Sequence, residues 1–262
     1  MNRIVSHLNK LTEKGEKAFI TYITAGLPDM DTTAGLIKAQ EKTDIIELGI
    51  PFSDPTADGP VIQQASYEAI LAGATLSKAF DLMKKLRADK VEKPIVFMLY
   101  YNTIAGMGVK EFVEQCHECG VDGLIVPDLP LEEQEPLKGA LSGDDATILI
   151  QLVSPVSKDR IPEILKDAQG FVYCVSSMGV TGQAADFHKE VISYLSYVKE
   201  VSKIPVMMGF GIRTAEDVRP MKDIIDGAIV GSYFITLMRE SGFDGARAKE
   251  YTTRFKEELN SL

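Results

Sequence analysis

Two carboxylates stand eleven residues apart in a setting that marks them for chemistry. Glu47 lies within the apolar run Ile45-Ile46-Glu47-Leu48-Gly49-Ile50, and Asp58 follows in a loop that carries Pro51 and Pro55 and closes at Gly59-Pro60. Acidic side chains are almost never buried without a partner or a task. A carboxyl in apolar surroundings has its pKa raised, which suits a general acid at neutral pH. A rigid strand and a stiffened loop would bring both acids to one small substrate. Asp58 taken alone also reads as a turn before a helix starting at Val61. Glu47, inside a strand, has no capping job. Tyr173, in Phe-Val-Tyr-Cys-Val-Ser, is either plain core or a helper whose hydroxyl seeks a partner.

Glycine-bearing turns supply a second kind of chemistry. They are Ser176-Ser177-Met178-Gly179-Val180-Thr181-Gly182, Gly209-Phe210-Gly211 and Gly231-Ser232. The first has the small, polar composition of a closing lid, expected to be disordered without ligand around Ser177 to Phe187. The other two suit phosphate, bound by backbone N–H groups at a helix start, with Ser232 as the cap of a helix from Tyr233 to Glu240. Arg213 reads as a solvated residue at a helix start.

The elements that must position these groups alternate. Short apolar runs recur at Ala18–Thr24, Asp44–Gly49, Pro94–Tyr100, Asp122–Pro127, Thr147–Val153, Gly170–Ser176, Ile204–Phe210 and Asp226–Gly231. Amphipathic stretches such as Val109 to Cys119, Lys158 to Lys166 and Glu190 to Val201 separate them. Eight strands alternating with helices, several apolar on both faces, predict an α/β protein: a single (β/α)8 TIM barrel spanning residues 1–262. No Gly-x-Gly-x-x-Gly follows the first run, which disfavours an open dinucleotide-binding sheet. Ile4 to Lys14 predicts an extra N-terminal helix that could plug the barrel floor. Strands start about 50 residues apart between the second and third runs and about 34 apart between the sixth and seventh, so extended loops follow strands 2 and 6. Those loops leave the carboxyl ends of strands, where barrel enzymes hold their active sites.

The 262 residues carry a formal net charge of −10, against nucleic acid or anionic membrane as partner, since both need clustered cations. No apolar run approaches the ~18 residues of a membrane span, and the first residues lack a signal-peptide core, so a cytoplasmic location is expected. Three cysteines, Cys116, Cys119 and Cys174, make no disulfide framework. Cys116-His117-Glu118-Cys119 resembles half a metal site without a second half; helix residues facing the core explain it better, and no metal is expected.

The stretch Glu47-Leu-Gly-Ile-Pro-Phe-Ser-Asp-Pro-Thr-Ala-Asp-Gly-Pro60 resembles the second strand and loop of the tryptophan synthase alpha chain family. Thr24-Ala25-Gly26-Leu27-Pro28, Val126-Pro127-Asp128-Leu129-Pro130, Gly-Val-Thr-Gly, Gly-Phe-Gly-Ile and Gly-Ser resemble further family motifs, in the family's order. The resemblance implies a lyase that splits indole-3-glycerol phosphate into indole and glyceraldehyde 3-phosphate by retro-aldol chemistry, without metal or organic cofactor of its own. It implies Glu47 as acid and base, Asp58 at the indole N–H and Tyr173 as a helper near Glu47. Gly182, Gly211, Gly231 and Ser232 would bind phosphate, Tyr22 and Phe210 would line the indole pocket, and Thr181 would close onto Asp58. It further implies a pyridoxal-phosphate-dependent beta chain in an αββα assembly that channels indole, contacted by Pro51, Phe52, Ser53, Asp54 and Pro55.

Thr56, Ser177-Met178 and Tyr22 depart from the residues common in the family, and none removes a proposed catalytic group. Competing readings are a stand-alone lyase, a non-catalytic allosteric barrel subunit, and another phosphate-binding barrel such as an isomerase. A Schiff-base aldolase would need a Lys at a strand end, and the eight runs have none.

Overall fold

The computed structural model describes residues 1–141, 143, 147–175 and 184–262, the side chains of 184–188 excepted. The strands are β1 (Ala18–Thr24), β2 (Ile45–Gly49), β3 (Ile95–Met98), β4 (Gly123–Ile125), β5 (Ile148–Leu149), β6 (Gln151–Val153), β7 (Val172–Cys174), β8 (Val206–Met208) and β9 (Gly227–Val230). All pair in parallel, in the order β5-β4-β3-β2-β1-β9-β8-β7-β6. The two ends of that order, β5 and β6, are separated in the chain by Ile150 alone. One strand position therefore pairs with β4 through its first half and with β7 through its second, and the sheet closes into an eight-position barrel. The run expected to be continuous from Thr147 to Val153 is thus split, because closing a barrel staggers the register between its first and last neighbours.

The helices are α1 (Arg3–Lys14), α2 (Met30–Ala39), α3 (Pro60–Leu71), α4 (Leu76–Ala88), α5 (Tyr101–Met107), α6 (Val109–Cys119), α7 (Glu135–Ala140), α8 (Ile161–Leu165), α9 (Ala184–Val201), α10 (Ser232–Glu240) and α11 (Gly245–Asn260). The long connection after β2 is not loop alone: it holds α3 in addition to the crossover helix α4. The stretch Lys158 to Lys166, expected as one helix, is a 3₁₀ segment, Pro155–Arg160, followed by the short α8. Pro162 lies at the first positions of α8, where its missing N–H costs nothing.

Side chains alternate across the wall. Ile46 and Leu48 join the outer core against the helices, whereas Ile45 joins an inner cluster with Ala18, Ile20, Val96 and Ile125. The lower end of that inner cluster is filled by Ile4, Leu8 and Leu11 of α1, so the N-terminal helix does plug the floor. Cys116 and Cys119 are buried on the inward face of α6, and all three cysteines are free. Among the described residues no helix is long and apolar enough to cross a membrane, and no cluster of acidic, His and Cys side chains could hold a metal ion.

Candidate active site

The period of two that sends Ile45 inward sends Glu47 inward as well, one layer higher. Its register neighbours are Tyr22 on β1 and Val96 on β3. Glu47 is 1% exposed, and among the described residues neither carboxylate oxygen has a hydrogen-bond partner. Burial first, then the nearby charge of Asp58, pushes its pKa up to about 8; the Tyr173 hydroxyl pulls the other way, although its geometry falls short of a formed hydrogen bond. Tyr173 projects from β7, and burial, then the Glu47 charge, keeps its phenol protonated well past neutrality. Burial likewise raises Tyr22, which is 4% exposed.

Two glycines make room for the tyrosines. A Cβ on Gly49 would stand 2.0 Å from the Tyr22 hydroxyl oxygen, and one on Gly209 would stand 2.3 Å from Tyr173 Cε1. The Gly of the Glu-Leu-Gly run and the first Gly of Gly-Phe-Gly are therefore packing requirements of the site, a role that turn chemistry alone does not suggest.

Asp58 is not the cap of α3: Gly59 occupies the N-cap position and Pro60 starts the helix. The Asp58 carboxylate instead accepts a hydrogen bond from the Tyr100 hydroxyl at 3.1 Å, and the Tyr100 hydroxyl oxygen accepts one from the Ala57 N–H at 2.9 Å. Burial raises the Asp58 pKa to about 6, against the lowering effect of Tyr100. Tyr100 stacks on Phe52, ring centroids 5.0 Å apart, so one side chain ties the acid to the segment Pro51–Pro55. That role escapes the sequence, where Tyr100 is the aromatic end of an apolar run. Gln63 of α3 adds a hydrogen bond to the Asp58 carbonyl at 2.9 Å.

A cavity of about 1150 Å³ opens at the carboxyl ends of the strands. It is lined by Tyr22, Glu47, Asp58 and Tyr173 together with Phe210, Gly211, Gly231 and Ser232. Ser232 is the first residue of α10 rather than its cap; Gly231 takes the cap position, and among the described residues no side-chain cap bonds the first N–H groups. Uncapped donors at a helix start facing a cavity form a natural anion site. Gly211 has φ +69°, a conformation that favours glycine. Arg213, expected to be solvated, is exposed and also edges the cavity, with its backbone N–H bonded to Asp217. Pro51, Phe52 and Pro55 are half-buried, and Ser53 and Asp54 are exposed. Thr181 and Gly182, with most of the expected lid, lie outside the described residues.

A closed (β/α)8 barrel with two elevated carboxyls at the carboxyl-terminal mouth defines an acid–base barrel enzyme. Residues 8–261 match the family model of the tryptophan synthase alpha chain. The tryptophan synthase alpha chain of Lachnospira eligens is 59% identical over 264 residues, covering the whole of both chains. That of Alkaliphilus metalliredigens is 46% identical over 99% of this chain and 97% of the relative. The crystal structure of the alpha subunit from Legionella pneumophila superposes with a TM-score of 0.87 at 31% identity, covering both chains fully. The chain belongs to the tryptophan synthase alpha chain family. Its members are carbon–carbon lyases that cleave indole-3-glycerol phosphate in tryptophan biosynthesis; the partner is a beta chain, which carries the pyridoxal phosphate.

Proposed function

We propose that Glu47 and Asp58 divide the cleavage of indole-3-glycerol phosphate between them. With a pKa near 8, Glu47 enters the reaction protonated at neutral pH. It delivers its proton to the indole ring carbon that bears the glycerol chain, and the ring becomes an iminium whose N–H points to Asp58. With a pKa near 6, Asp58 is mainly ionised and stabilises that positive charge. The Glu47 carboxylate then takes the proton of the adjacent glycerol hydroxyl. That carbon becomes the aldehyde, the carbon–carbon bond breaks, and its electron pair restores the neutral indole. Glu47 ends as it began, protonated. Tyr173 faces Glu47 as a neutral donor through both steps.

The different surroundings of the two acids carry this reading, because one must hold a proton while the other must not: Glu47 is buried with no hydrogen-bond partner among the described residues, and Asp58 accepts a bond from Tyr100. Tyr22 and Phe210 line the indole end, and Gly211, Gly231 and Ser232 take the phosphate, joined by Gly182. Thr181 closes onto Asp58. The chain works as one domain, in the cytoplasm, within an αββα assembly whose beta chain meets Pro51, Phe52, Ser53, Asp54 and Pro55; Tyr100 links that surface to Asp58.

Indole release by wild type, Glu47→Gln and Asp58→Asn tests the assignment. Loss of a general acid–base group costs about 10²–10⁴ in rate, so Glu47→Gln should fall by that factor, and wild-type turnover in that variant would refute the mechanism. A beta chain that neither co-purifies with the protein nor raises its activity would favour a stand-alone lyase.

A further inference from the structure

We propose that Tyr251, on α11, is a positioning residue for the phosphate group: it fixes both elements that would bind it, the loop after β8 and the start of α10. This rests on the phosphate reading above. Tyr251 does not line the cavity among the described residues. Its hydroxyl donates to the Arg213 carbonyl at 2.8 Å. The N–H of the same residue is held at 2.9 Å by the Asp217 carboxylate, which also accepts from the Thr214 N–H at 2.8 Å and closes a capping box there. Residue 213 is therefore pinned at both its N–H and its carbonyl, two positions beyond Gly211. A loop that must present backbone donors at a left-handed glycine has few internal restraints of its own, and pins on either side set where the Gly211 N–H points.

The ring of Tyr251 acts on the other element. It packs against Tyr233 and Phe234, with centroids 5.8 and 5.7 Å away, the second and third residues of α10. Phe255, also on α11, lies 5.9 Å away, and Phe19 of β1 meets the Tyr251 ring edge-on at 6.5 Å. The uncapped first turn of α10 and the Gly211 loop thus share one support, anchored on the barrel wall through Phe19 and Phe255, which stack at 4.2 Å. Removing the hydroxyl frees the loop while the ring keeps its place.

The test uses the alpha chain complexed with its beta chain and measures KM and kcat for indole-3-glycerol phosphate. It also measures inhibition by glycerol 3-phosphate and by indole, which carries no phosphate. One hydrogen bond lost corresponds to about three- to tenfold in affinity. Tyr251→Phe should raise KM and the glycerol 3-phosphate inhibition constant together by that factor, leave kcat within about twofold, and leave indole inhibition unchanged. Asp217→Ala, which removes the acceptor that holds the N–H of residue 213, should give the same pattern and serves if the Tyr251 variant does not fold. An unchanged KM in Tyr251→Phe, or equal weakening of both inhibitors, overturns the proposal. Gly211→Ala separates the two readings. If it leaves glycerol 3-phosphate inhibition at the wild-type value, the phosphate assignment itself is wrong; if it abolishes inhibition while Tyr251→Phe does not weaken it, only the role of Tyr251 fails.

Discussion

The Tyr173 ring occupies the space that a side chain on Gly209 would fill, with Cε1 2.3 Å from the ideal Cβ position and Cζ 2.7 Å from it. Neither contact is with the end of a flexible chain, so something must shift. Gly209→Ala should push Tyr173 away from Glu47, lowering kcat by at least about tenfold and stability by about 1–3 kcal/mol, the usual cost of overpacking. Shortening the intruding ring in the double variant Gly209→Ala/Tyr173→Leu should return the stability and not the turnover. Thermal melts beside steady-state rates make the comparison, and additive losses in the double variant would show that the two residues do not contend for the same space.

The pH dependence of kcat/KM should be bell-shaped, because it follows the free enzyme. Asp58 must be ionised, so the rate falls as pH drops through about 6; Glu47 must be protonated, so it falls as pH rises through about 8. The limbs belong to a coupled pair and report apparent values. Asp58→Asn gives the sharper test. Burial is the larger cause of the raised Glu47 pKa, and the Asp58 charge is the second, so removing that charge lets Glu47 ionise more readily. The alkaline limb should move to lower pH. A limb that stays put or moves upward would show that the two carboxyls do not interact.

Glu47 was legible because a carboxylate in an apolar strand contradicts its surroundings, and the barrel because eight strand-and-helix units leave few other closures. What escaped the sequence depends on approach in space. Tyr100 meets Asp58 across 42 residues of chain, and in the sequence it is indistinguishable from a core aromatic. Gly209 looks like a turn former, and Gly49 like a plain strand residue, until the tyrosines beside them are seen. Ser232 stands one position inside α10 rather than at its cap, and among the described residues that leaves the first turn without a side-chain cap. The helix expected from Val61, in the reading that took Asp58 as part of a turn, is α3 and starts one residue earlier, at Pro60.

The floor helix should matter to stability and not to chemistry. Leu8 is 3% exposed and packs within the inner barrel cluster below the layer that contains Glu47. Leu8→Ala leaves a void that neighbouring strands cannot collapse into, at a cost of about 2–5 kcal/mol. Urea denaturation should show the loss, with KM and kcat of the folded enzyme unchanged. A large rise in KM would mean that α1 reaches the site through the barrel.

At the same amino-terminal end, Asp122 is buried and receives Arg87 at 2.7 Å, Arg3 at 2.9 Å and the Ile95 N–H at 2.8 Å. Arg87 also bonds the carbonyls of Gly120, Lys93 and Val91, so one guanidinium joins the chain entering β3 to the chain entering β4. Such a pair adds little over a well-packed apolar replacement, but removing one member strands the other charge. Arg87→Met leaves Asp122 with Arg3 and the Ile95 N–H, so its charge is only partly stranded and the loss should be about 1–3 kcal/mol, seen as a lower urea midpoint at unchanged slope. Asp122→Leu added to it should recover only part of that loss, because the Ile95 N–H and Arg3 lose their acceptor as well. A loss below about 1 kcal/mol for Arg87→Met, in the range of surface ion pairs, would place the support of this wall in the apolar contacts alone.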